Sequence, residues 1–253
     1  MQIKLTRSLI PNLFTLMNMF CGFLSIINSF EGNFVYASVL IVVAAIFDLL
    51  DGLAARITKS ASEFGVELDS LSDVISFGAA PAFLIYNIHL KSFYEVGVLI
   101  SAFYLICVAL RLARFNVQLI GFDKAFFYGL PSPLSAITVA SYIISFYEVN
   151  RFVSNASLYF LPLVILVSIL MVSQVKYDAF PKFNLAEFKS KPFYFLFLTA
   201  AFIIAILTEG KWIILLIAAF ILYGIVRAII AWIFKSSEEK SSDDLDEFAN
   251  FDI

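Results

Sequence analysis

The sequence is poor in charge. Asp, Glu, Lys and Arg make up 15% of its 253 residues, where a soluble domain carries about 25%. So few charges cannot wet the surface of a chain this long, which excludes a soluble globular fold. Histidine is scarcer still. His89 is the only one, so no mechanism needing two histidines within one chain can operate. Cysteine occurs twice, as Cys21 and Cys107, each inside an apolar run. That excludes a disulfide scaffold and a cysteine-based zinc site.

What fills the sequence instead is hydrophobic residues, at 61%, with 29 phenylalanines and a mean hydropathy of +0.92. A membrane-spanning helix needs about 20 apolar residues. Eight stretches qualify: 9–29, 34–55, 70–89, 93–113, 132–147, 155–173, 192–208 and 212–233. The weakest is 132–147, which opens on Pro131-Ser132-Pro133. The first stretch is too long for the apolar core of a cleavable signal peptide and lacks a small-residue cleavage site. The expectation is an all-α fold, a polytopic transmembrane helix bundle of about eight spanning helices.

Charge sets the expected orientation. With the N-terminus inside, 14 Lys and Arg residues fall on the cytoplasmic side and three, Lys91, Arg151 and Lys211, fall outside. Both termini are then cytoplasmic, in the cell membrane. The net charge of -3 comes from the end of the chain, where seven acids follow Ser237 with one base, Lys240. The remainder carries 16 bases against 13 acids, a modest excess that suits anionic lipid and no nucleic-acid partner. We divide the chain into a transmembrane catalytic domain, 1–235, and an acidic, disordered cytoplasmic tail, 236–253. Lys176–Lys191 reads as a cytoplasmic connector.

Four acids stand out against this apolar background. Asp48 and Asp51 close a long apolar run, three residues apart and so on one helix face. Asp69 and Asp73, four apart, share a face of the next helix. The turn between brings the helices side by side, so all four carboxylates can converge at the cytoplasmic end. A charge buried at the centre of a spanning helix costs about 2.5–3.5 kcal/mol on insertion scales. Crowding like charges adds repulsion, and divalent cations relieve both. Oxygen-only ligands suit Mg²⁺, Mn²⁺ or Ca²⁺, and two such ions can clamp a phosphate during displacement at phosphorus. Gly52 and Gly65 allow a diphosphate to approach, and Arg56 can pair with phosphate oxygens. Carboxylates that merely cap helix ends in water would not gather in fours beside two glycines and an arginine.

Asp48-x2-Asp51-Gly52-x2-Ala55-Arg56-x8-Gly65-x3-Asp69-x3-Asp73 resembles the signature of the CDP-alcohol phosphatidyltransferase family at every fixed position. Leu68-Asp69-Ser70-Leu71-Ser72-Asp73-Val74-Ile75-Ser76-Phe77-Gly78, Arg111-Leu112-Ala113-Arg114-Phe115-Asn116 and Gly129-Leu130-Pro131-Ser132-Pro133 look like its phosphatidylserine synthase branch. Pro11-Asn12-x2-Thr15-x2-Asn18 resembles the first-helix motif of the wider family. The likeness covers about residues 5–135; beyond them only hydropathy matches.

The resemblance implies an integral membrane enzyme that transfers the phosphatidyl group of CDP-diacylglycerol to L-serine and releases CMP. It implies two divalent cations per active site. Asp48, Asp51 and Asp69 would hold one, and Asp48, Asp69 and Asp73 the other, with Asp73 also the general base. Asn12, Thr15, Gly52, Arg56, Ser62 and Gly65 would contact the CDP-lipid. Arg111, Arg114 and Asn116 would bind serine, against the simpler reading of arginines as interfacial anchors. A homodimer is the family expectation. The lone His89 excludes the phospholipase-D-like type of serine synthase, which needs paired histidine motifs. Two other readings stand beside this one: the same family with glycerol 3-phosphate or an inositol phosphate as acceptor, and a cation transporter using the acids as a pathway.

Overall fold

The computed structural model describes residues 8–60, 62–119, 126–148, 151–153, 155–178, 214–224 and 226. Most of these are helical. Helix α1 spans Leu9–Phe30, α2 Phe34–Thr58 and α3 Glu63–Asp73. The third helix does not stop at Asp73. It continues through a π-helical turn, Val74–Ala79, into α4, Ala80–Ile85, and a second π-helical turn, Tyr86–Leu90. Helix α5, Tyr94–Leu119, then packs back along that rod. The remaining helices are α6, Ser132–Phe146, α7, Ala156–Val172, and α8, Ile214–Gly224.

Among the described residues, three helical stretches are long and apolar enough to cross a bilayer: Leu9–Phe30, Phe34–Thr58 and Glu63–Val117. The last is 55 residues long and contains the change of direction at Tyr94, where φ is 47°. The third helix starts at Glu63, not at residue 70, because Ser62 caps it by accepting a hydrogen bond from Gly65 N–H at 3.1 Å. The stretch 132–147, singled out as the weakest, folds as a 15-residue helix, shorter than a usual span. The expected span 192–208 and the acidic tail lie outside the described residues.

Two small antiparallel ladders interrupt the expected all-helical architecture. Strands β2, Tyr147–Glu148, and β3, Arg151–Phe152, form the tight link between α6 and α7. Strand β1, Phe126–Tyr128, pairs with β4, Lys176–Asp178. The start of the expected connector Lys176–Lys191 is therefore a paired strand.

Helix α1 buries its small and polar face and exposes its large apolar one. In α1 the buried residues are Pro11, Thr15, Asn18, Cys21, Gly22, Ser25 and Ser29, while Leu13, Leu16, Phe20, Phe23 and Phe30 point outward. This is the arrangement of a bundle in lipid, where tails are as apolar as leucine and helices associate through close packing and polar contacts. Ser72 and Ser76 Oγ donate to the Thr15 and Asn18 carbonyls at 3.0 and 2.9 Å. Ser25 Oγ donates to the Ala37 carbonyl at 2.9 Å. A Cβ at Gly22 would sit 2.7 Å from Ser76 Cα, so the absent side chain sets how closely α1 meets the third helix.

Candidate active site

The sequence places Asp48 and Asp51 in the last three turns of α2 and Asp69 and Asp73 on α3. Packing both helices against α1 brings the acids together. Carboxylate oxygens of Asp48, Asp51 and Asp69 all lie within 4.8 Å of one another. Asp73 is not part of this compact triad. It lies one turn further along, almost fully buried, and its Oδ1 accepts a hydrogen bond from Asn18 Nδ2 at 3.5 Å. Convergence of all four acids thus resolves into a triad and a neighbour. The π-helical turn begins directly after Asp73, and such turns often occur at functional sites.

Two side-chain hydrogen bonds to the acids come from neutral groups on α1. Thr15 Oγ1 donates to Asp51 Oδ2 at 2.9 Å, and Asn18 serves Asp73. A hydroxyl and an amide do not cancel a carboxylate's charge. Asp69 Oδ1 and Asn18 Oδ1 are buried with no hydrogen-bond partner. A buried polar atom left unpaired is costly. Three carboxylates at this density, oxygen donors only and an orphaned oxygen among them together fit a hard divalent cation.

Beside the triad is a cleft of about 130 Å³. Its walls include five of the six residues expected to contact a CDP-lipid: Asn12, Thr15, Gly52, Ser62 and Gly65. Asp51 and Asp69 form its acidic side. A Cβ at Gly65 would lie 3.2 Å from Ser62 Oγ and 3.5 Å from Asn12 Oδ1, so a side chain there would close the cleft. At Gly52 such a carbon would lie 3.8 Å from Arg56 Nη2. The space before Gly52 is open, and Arg56 borders it as an exposed side chain.

The three residues expected to bind serine separate. Arg111, 9% exposed, donates to Ser132 Oγ at 2.8 Å and lies 5.6 Å from the Phe115 ring. Its charge also acts on Asp48 and Asp73. Arg114 turns the other way and donates to the Met171, Val172 and Ser173 carbonyls at the end of α7. Asn116 Nδ2 donates to Ser70 Oγ at 2.8 Å and ties α5 to α3 beside Asp69.

Sequence reasoning assigned no role to Asn18 or Ser132. Asn18 did carry a signal: an amide in the middle of an apolar helix, on the face that includes Thr15. A polar side chain is expensive in a spanning segment and marks either a helix–helix contact or a site. Ser132 carried one too, as part of the Gly129–Pro133 segment that resembles the phosphatidylserine synthase branch, although a serine between two prolines by itself reads as loop.

The CDP-alcohol phosphatidyltransferase family model matches residues 8–172. A CDP-diacylglycerol–serine O-phosphatidyltransferase of Helicobacter pylori is 34% identical over 226 residues, 89% of this chain and 92% of that protein. A protein of the same name from Methanocaldococcus jannaschii is 36% identical over 219 residues, 85% and 92% of the two chains. An archaetidylserine synthase of Methanothermobacter thermautotrophicus is 42% identical over 170 residues, 66% and 69%. The matched region takes in the triad, Asp73 and every wall of the cleft, and on that ground the chain belongs to the CDP-alcohol phosphatidyltransferase family.

Proposed function

We propose that this chain transfers the phosphatidyl group of CDP-diacylglycerol to the hydroxyl of L-serine, giving phosphatidylserine and CMP. The observation that carries the reading is the carboxylate triad opening on a cleft whose other walls are small or neutral. A cleft with an acidic floor and no bulk at Gly52 and Gly65 suits a diphosphate bridged to the protein by cations. The names of the relatives agree on serine as acceptor and differ in the lipid, phosphatidyl in one group and archaetidyl in the other.

Asp48, Asp51 and Asp69 would hold one divalent cation, and Asp48, Asp69 and Asp73 a second. Bound there, Mg²⁺ or Mn²⁺ neutralises the diphosphate and stabilises the charge that develops at phosphorus. Thr15 fixes the Asp51 carboxylate, and Asn18 fixes that of Asp73. Asn12, Thr15, Gly52, Ser62 and Gly65 seat the cytidine diphosphate, with Arg56 at the rim. Asp73 takes the proton of the serine hydroxyl. The serine oxygen bonds to the phosphorus that bears diacylglycerol, the bond to the CMP oxygen breaks, and CMP leaves. Arg111 faces the serine carboxylate. The reaction is read as a single displacement, because the serines that border the acids are engaged elsewhere: Ser62 Oγ accepts from Gly65 N–H, and Ser70 and Ser72 Oγ donate to the Val66 and Thr15 carbonyls.

Eight spans, both termini in the cytoplasm and a site open to cytoplasmic serine complete the reading, with a second copy of the chain as partner. A cation pathway would string acids across the membrane depth; here three of them share one end within 4.8 Å. The test is CMP release by the purified protein in lipid nanodiscs with CDP-diacylglycerol and, in turn, serine, glycerol 3-phosphate or an inositol phosphate. CMP released with serine alone among the acceptors supports the reading. Release with another acceptor only would overturn it.

A further inference from the structure

Arg111 and Arg114 are one helical turn apart on α5, yet they reach different partners. Arg114 grips the end of α7, where exposed carbonyls carry the negative end of the helix dipole and attract a cation. The same end of α7 holds a second segment. Gly129 N–H donates to the Val175 carbonyl at 2.8 Å and Leu130 N–H to the Leu170 carbonyl at 3.0 Å. Gly129 has φ +83°, and a Cβ on it would collide with the Met171 carbonyl and stand 2.8 Å from Arg114 Nη2. Only glycine fits there. The segment leads through Pro131 into α6, whose first residue, Ser132, is fully buried and receives the hydrogen bond of Arg111.

We propose that Arg114 and Gly129 are positioning residues that act through Ser132: they seat the 129–132 segment on the end of α7, and Ser132 then holds the Arg111 guanidinium toward the acceptor's carboxylate. Arg114 makes no contact with the acceptor. This rests on the reading of serine as the acceptor, and it divides the roles of two arginines that the sequence presents alike. A guanidinium with five donors can give one or two to Ser132 and keep others for a carboxylate. Unheld, the same long side chain would lose rotamer freedom on every binding event.

The test is steady-state kinetics of the full chain in nanodiscs, with serine and CDP-diacylglycerol varied separately and thermal stability measured alongside. Ser132→Ala should raise the serine KM about tenfold, the effect of one hydrogen bond to a charged group, and leave the CDP-diacylglycerol KM unchanged. Arg114→Ala and Gly129→Ala should do the same or more. In an Arg111→Ala background these changes should add nothing further, because they act through Arg111. Ser132→Ala leaves the α7 contacts intact, so it decides the matter even if the other two variants do not fold. A serine KM unmoved in Ser132→Ala, or effects that multiply with Arg111→Ala, would overturn the proposal. A purely structural clamp would lower stability and turnover with both KM values unchanged, and would overturn it too. If Arg111→Ala itself leaves the serine KM unmoved, the proposal fails while serine stands as the acceptor; the acceptor reading fails only if serine supports no CMP release, and the two outcomes are distinguishable.

Discussion

At one end of the bundle, three carboxylates crowd within 4.8 Å and two buried oxygens lack hydrogen-bond partners. At the other end, where α6 turns into α7, rings pack against one another. Phe34 meets Tyr147 edge-on at 5.5 Å, Tyr147 meets Phe152 at 5.4 Å, and Phe152 stacks toward Phe160 at 5.2 Å. His89 lies among them, 6.0 Å from Phe152 and 6.1 Å from Phe160. Tyr142 donates its hydroxyl to the Ala156 carbonyl at 2.6 Å. Each such ring pair contributes about 0.5–1.5 kcal/mol beyond the area it buries. One end is paired ring against ring, while the other keeps unpartnered oxygens on Asn18 and Asp69 beside a cleft. Stability is gathered at the first and given up at the second, where a ligand supplies the missing interactions.

That contrast predicts where perturbation stops chemistry and where it only loosens the fold. Removing divalent cations should have the largest effect. Excess EDTA should abolish CMP release, and added Mg²⁺ or Mn²⁺ should restore it; full turnover in EDTA would break the assignment of the acidic end. Next comes Asp73→Asn, which keeps size and hydrogen bonding but loses the basic oxygen. Turnover should fall at least about a hundredfold, the lower end for a general base, with CDP-diacylglycerol affinity near normal. Asp48→Asn should instead weaken cation and nucleotide binding together. Gly65→Ala narrows the cleft between Ser62 and Asn12 and should raise the CDP-diacylglycerol KM about tenfold, roughly one lost polar contact, with the serine KM unchanged. Smallest is Tyr142→Phe at the ring end. It should cost about 1 kcal/mol of stability, one hydrogen bond, seen as a lower Tm with both KM values intact. A large loss of activity there would erase the distinction between the ends.

The acidic end was legible in the sequence because membrane chains carry so few charges. Four aspartates at spacings of three and four, flanked by Gly52 and Gly65, have little reason to occur in an apolar run unless something binds them. The cleft was legible for the same reason: Asn12 and Thr15 are polar groups on a mostly apolar helix. What the sequence hid depends on long-range packing. An arginine at the end of a helix looks the same whether it binds a substrate or caps a neighbouring helix, so Arg111 and Arg114 could not be told apart. The position of Asp73 outside the triad follows from how α1 and α2 pack on the third helix, which spacing alone does not encode. The short strands at 126–128 and 176–178 lie beside polar segments without clear alternation, and pairing partners 50 residues apart leave no local mark.

The account's central claim is that the acidic end activates the acceptor hydroxyl for direct attack on phosphorus. Isotopically labelled CMP, incubated with the protein and CDP-diacylglycerol while serine is withheld, tests it most directly. Single displacement predicts no label in CDP-diacylglycerol, together with full CMP release once serine is added. Rapid exchange of label without serine would reveal a phosphatidyl-enzyme intermediate and contradict the account.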